Sequence, residues 1–112
     1  MELEREAFLA EAHLLAGDLG ASVRPSDIEM FQFGLSMLRS SALLLAQVVA
    51  RFRKQVQPEL EAGTFVVSQA ALAALFGPLP FALNDAAVTP EVRTRVMARL
   101  HRVDEIVRRM PP

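Results

Sequence analysis

Apolar side chains recur at Phe31, Leu35, Leu38, Ala42, Leu45, Val49, Phe52 and Val56, in alternating steps of four and three residues. That spacing places them on one seam of an α-helix. No proline falls between Ser26 and Gln57, so the pattern predicts one uninterrupted helix over 26–57, about 48 Å long at roughly 1.5 Å per residue. Met30, Met37, Leu44 and Val48 widen the apolar face on one side, and Gly34 and Ser41 are small enough to admit a close neighbour. From Leu43 to Ala50 the helix is apolar nearly all round, which predicts the buried centre of the fold. The seam residues Phe31, Leu35, Leu38, Leu45, Val49 and Phe52 are the candidate interface, expected to be partly shared between two chains.

Three shorter helices surround this one. The first is expected over 2–18: Leu3, Ala7, Ala10 and Leu14 form one row and Phe8, Ala12, Leu15 and Leu19 another. Glu2, Glu4 and Glu6 suit the positive end of the helix dipole, and Gly17 and Gly20 supply an ending. Ser26-Asp27-Ile28-Glu29 matches a capping box for the start of the long helix, and Pro58 should end it by disfavouring helical geometry at Gln57. Thr64-Phe65-Val66-Val67 reads as extended coil leading to a cap at Ser68 and a short helix over 69–76 that presents Leu72, Leu75 and Phe76. Gly77-Pro78-Leu79-Pro80 should stop that helix, with another helical turn over 81–87. Thr89-Pro90-Glu91 opens the last helix, 90–110. Its predicted buried face is Val92, Val96, Leu100, Val103, Val107 and Met110. The expected architecture is a single all-α domain over 1–112, a small bundle of about four helices built around the long one.

Composition narrows the chemistry. The chain is 52% hydrophobic with seven Phe, no Trp, no Tyr and no Cys. Disulfide frameworks, thiolate metal sites and cysteine nucleophiles are thereby excluded. The start, Met1-Glu2-Leu3-Glu4-Arg5-Glu6, is acidic where a signal peptide is basic and then apolar. The longest uncharged run in the central helix, Ser40 to Ala50, is half of the roughly 20 residues a membrane span needs. A soluble, cytoplasmic protein without a membrane segment is therefore expected.

Net charge is −1, but residues 1–29 carry seven acids against two arginines and residues 91–112 six arginines against three acids. An acidic first helix lying beside a basic last one accounts for this asymmetry more economically than an acidic partner does. Nucleic acid is an unfavoured partner for the same reason: Glu91, Asp104 and Glu105 stand four residues before Arg95, Arg108 and Arg109, as solvated ion pairs do. That leaves Arg93, Arg99 and Arg102 uncommitted. No aromatic or glycine-rich loop accompanies them to stack bases or cradle phosphates.

The two histidines define the candidate catalytic chemistry. Neither has a second histidine or a thiolate at ligand spacing, so no metal and no cofactor is expected. Ala12-His13-Leu14-Leu15-Ala16-Gly17 partly resembles the His-x-Leu-Lys-Gly core of histidine phosphotransfer domains, which implies a phosphorylatable His13; here Ala16 replaces the lysine and too little chain precedes the histidine. Arg95 and His101 resemble the Arg-x(4–6)-His signature of HEPN-family ribonucleases, which implies a dimeric all-α nuclease acting on an RNA phosphodiester through those two residues. On a regular helix six steps put them roughly 240° apart, so convergence would need a helix break or a second chain. The favoured reading is a non-enzymatic helical interaction or assembly module, a homodimer that binds another protein. The HEPN-like nuclease or an inactive relative comes second and the phosphotransfer module third.

Overall fold

The computed structural model of the chain describes residues 2–75 and 85–111. It is all-α, and among the described residues no strand occurs. Helix α1 spans Glu2–Leu19, α2 Pro25–Ser40, α3 Ala42–Arg51, α4 Gln57–Ala62, α5 Gln69–Leu75 and α6 Pro90–Arg109; a π-helical turn, Phe52–Val56, joins α3 to α4. Short 3-10 turns lie at Gly20–Ser22 and Asp85–Ala87. The expected ends at Phe76, the stop over 77–80 and the turn over 81–84 fall outside the described residues.

The single long helix is not formed. The chain bends by 114° between Pro25–Ser40 and Ala42–Ala62, at Ser41, which is extended (φ −132°, ψ 103°). A 48 Å rod would exceed the molecule's longest dimension, 37 Å. Local chemistry makes the break here. The Ser36 and Ser40 hydroxyls donate to the carbonyls of Gln32 (3.2 Å) and Ser36 (3.5 Å), in competition with the helical ladder. The Ser41 hydroxyl accepts from the Leu44 amide at 3.2 Å and so caps the new helix. The Arg5 guanidinium reaches across from α1 to the Arg39 carbonyl, one of the acceptors that the end of α2 leaves without an intrahelical partner.

The second half of the predicted helix then runs further than expected. Pro58 does not end it; the rod continues to Ala62 and stops at Gly63, whose φ of +71° is left-handed. Proline lacks an amide hydrogen and its ring crowds the carbonyl four residues back. The π turn relieves this, because the Gln57 amide bonds to the Phe52 carbonyl five residues back, which widens the turn just before the proline.

Other starts also shift. The capping box at Ser26 and Glu29 is not used: α2 begins one residue earlier, with Pro25 in its first turn, and Arg24 pairs with Asp27 at 2.9 Å. Gly17 stays inside α1, and Gly20, at φ +54°, makes the turn. At Thr89 the expected cap forms, with the hydroxyl accepting from Val92 at 3.2 Å, as does the one at Ser68, which accepts from Ala71 at 3.2 Å.

One apolar core joins these helices. It contains Phe8, Leu15 and Leu19 of α1, Phe31, Leu35 and Leu38 of α2, Val48 of α3, Phe52 and Val56 of the π turn, and Val96, Leu100 and Val107 of α6. Helix α6 buries all six residues expected of it, together with Ile106. Helix α1 packs most extensively on α6 and also on α2. Of its two predicted rows only Phe8, Ala12, Leu15 and Leu19 are buried; Leu3 and Leu14 are exposed.

Candidate functional site

The six seam residues assigned to an interface, Phe31, Leu35, Leu38, Leu45, Val49 and Phe52, are all buried within one chain, none more than 7% exposed. Their cover is intramolecular. Folding the rod at Ser41 wraps both halves of the seam around one core. Ala42, the remaining seam position at the bend, is turned to solvent.

The same bend creates a different surface. Met30, Phe33, Met37 and Leu43 are 50%, 70%, 48% and 70% exposed. The first three lie at i, i+3 and i+7 on α2, a row roughly 140° round the helix from the buried seam at about 100° per residue. Leu43 follows in the first turn of α3, whose outer positions Ala42, Ala46 and Ala50 are exposed as well. The expectation that Leu43 to Ala50 forms the buried centre therefore holds for Leu45, Val48 and Val49 only. At the elbow, Phe33, Ser36, Met37, Ser40, Ser41 and Leu44 line an open depression of about 410 Å³. Between Met30 and Ala50 the only charged residue is Arg39, which is paired with Glu6 at 2.7 Å. Four large apolar side chains thus stand exposed at the elbow. Met30 and Met37, which widen the apolar face in the sequence pattern, therefore face solvent, with Phe33, which that pattern does not mark, between them. The angular offset of that row from the seam is the signal that separates the two.

Charged side chains tie α6 to α1 and to the α3–α4 rod. Arg99, counted as uncommitted from its own helix, bridges α6 to α1: Nη1 lies 2.6 Å from Glu11 Oε2 and Nε 2.8 Å from Asp18 Oδ2, with all three side chains largely buried. Hydrogen bonds to Asp18, and then to Glu11, hold the guanidinium pKa above its ordinary value. The uneven charge along the sequence is thus partly neutralised between α1 and α6. At the other end of α6, Arg53 Nη2 donates to the carbonyls of Val107 (3.0 Å) and Met110 (2.9 Å), capping the negative end of the helix. Gln57 bonds Asp104 at 2.8 Å, and Arg108 pairs with Asp104 at 3.1 Å and with Glu61. These are interhelical fastenings rather than a binding patch.

The candidate catalytic residues do not meet. Arg95 and His101 are both exposed on the unbroken helix α6, so the roughly 240° of turn between them stands. His13 is half-buried in the middle of α1. Among the described residues no group of three His, Asp or Glu side chains is placed to hold a metal ion, and no single helix is long and apolar enough to cross a membrane. A second depression, about 380 Å³ and lined by residues including Lys54, Glu59 and Phe65, brings no nucleophile beside a base. In the comparisons with known proteins, no family model, no curated protein and no solved structure matches this chain.

Proposed function

We propose that this chain is a non-enzymatic helical interaction module that docks protein through the outer face of the α2–α3 elbow. The observation that carries the reading is the exposure of Met30, Phe33, Met37 and Leu43 on a stretch, residues 30–50, whose one charged residue is the paired Arg39. Aromatic and methionine side chains are the types enriched at interface centres, and unbranched methionine adapts to the shape of what it meets. The seam from Phe31 to Phe52 serves this function as the support that holds the elbow rigid. Homodimerisation and binding of another protein are both forms of such docking. Among the described residues, neither the Arg95–His101 pair nor His13 has a partner group that favours catalysis over this reading.

The test is substitution on the row itself. Phe33→Glu combined with Met37→Glu should abolish every specific association of the purified protein while leaving its helical circular dichroism intact. Undiminished association in that variant refutes the reading, as would RNA cleavage that is lost in Arg95→Ala.

A further inference from the structure

The elbow surface has the size, the symmetry and the charge pattern of a face that pairs with itself. Resting on the interaction reading above, we infer that its occupant is a second copy of this chain, with the two α2 helices crossing antiparallel about a two-fold axis close to Phe33.

Position supports this first. Phe33 sits at the middle of α2, which spans Pro25–Ser40, and Met30 and Met37 flank it by one turn on either side. An isologous interface requires one patch to be its own complement. Antiparallel crossing meets that requirement: Phe33 stands near the axis and Met30 faces Met37 of the partner subunit. Ser36 and Ser40, both exposed, let the helices approach.

Charge supports it second. A two-fold axis brings like groups together, so any charge near it would repel its own image. The segments Met30–Leu38 and Ala42–Ala50 contain no charged residue. Selection of a foreign partner commonly uses complementary charges around the patch; the flanking charges here are Glu29, one turn before Phe33, and Arg39, which is already paired. An anionic lipid surface is disfavoured on the same ground, since membrane-lying helices carry a basic polar face whereas α2 flanks its row with Glu29.

Area supports it third. At about 200 Å² for a fully exposed large side chain, the four residues present roughly 450 Å² of apolar surface. Two copies bring roughly twice that, and Ala42, Leu44 and the serine rim carry the total past the 1,000 Å² or so that a specific interface needs.

Sedimentation of the purified chain over a broad concentration range tests the pairing. The wild type should reach the mass of two chains as concentration rises; Phe33→Glu should stay at the mass of one chain with unchanged circular dichroism, and Leu3→Glu, on the exposed start of α1, should still dimerise. The chain has no cysteine, so geometry can be read by cross-linking. A Met30→Cys protein mixed with a Met37→Cys protein should give the mixed disulfide dimer in excess over either like pair. A wild type that stays at the mass of one chain at its highest soluble concentration overturns the inference, as does a dimer that survives both Phe33→Glu and Met37→Glu. If the monomer instead binds phosphatidylcholine vesicles, or one defined protein, through Phe33, the self-pairing is overturned; in the protein case the broader interaction reading stands.

Discussion

Helix α1 meets α6 across a surface closed by an apolar stripe and pinned by Arg99 between Glu11 and Asp18. The elbow of α2 and α3 uses the other side of the same core yet leaves Phe33 and Leu43 in solvent with no polar group committed to them. The two regions treat their outward residues in opposite ways. At α1–α6 the charges left over after the core is filled are spent on fixing one helix to another. At the elbow the ties to α1, Arg39 with Glu6 and Arg5 with the Arg39 carbonyl, leave the apolar row of α2 exposed. Among the described residues the other large apolar side chains that stand exposed, Leu3, Leu14 and Val66, are away from the elbow.

The largest effect that separates the regions should come from the shared core beneath them. Phe31→Ala, on the buried side of α2, should cost about 3–5 kcal/mol through lost burial and a cavity, as read by urea unfolding. Phe33→Ala, two residues on but solvent-facing, should lie within about 0.5 kcal/mol of the wild type for the isolated monomer. Comparable losses at both positions would mean that α2 does not present the faces described.

Arg99→Ala comes next. It leaves two largely buried carboxylates without their cation and should cost about 1–3 kcal/mol. The Arg99 pKa is raised, so its contribution is complete below the ordinary arginine range and is lost only as pH rises through the still higher folded value. The gap between wild type and Arg99→Ala should therefore be the same at about pH 7 and pH 10. A gap that closes over that range would remove Arg99 from the account.

Smaller again is the cap at the bend. Ser41→Ala removes the acceptor for the Leu44 amide and should cost about 1 kcal/mol, without changing the elbow's exposure to a surface-labelling reagent. Last, Arg108→Ala removes an exposed pair with Glu61 and a half-exposed one with Asp104, which keeps its bond to Gln57, and should move the denaturation midpoint least, since such pairs contribute little in water.

Much of this fold was legible from local chemistry. Thr89 and Ser68 cap where they were expected to, and α6 buries the face that its periodicity marks. The all-α class follows from the same periodicity. The long helix was misread because the four-three spacing survives a break of a single residue: Ser41 keeps its place in the count while leaving the helix. The serines at 36, 40 and 41 were the available sign, together with a predicted length too great for the core of so short a chain. Pro58 misled for a related reason, since a rule for regular α-helix does not foresee a π turn directly ahead of it. Arg99 was hidden because only partners three or four residues away can be read along one helix, whereas Glu11 and Asp18 come from α1. The exposed face of α2 was half visible: Met30 and Met37 stand out as a row along the sequence, and their angular offset from the seam is the sign that the row faces away from the core.

Five methionines give that surface a direct reporter, because Met30 and Met37 lie on it whereas Met97 and Met110 are packed at or in the core of α6. The decisive measurement is the shift of the methionine methyl resonances as protein concentration rises. The account predicts that the Met30 and Met37 methyls move together along one binding curve while those of Met97 and Met110 stay still. Movement at Met97 and Met110 with none at Met30 and Met37 would contradict it.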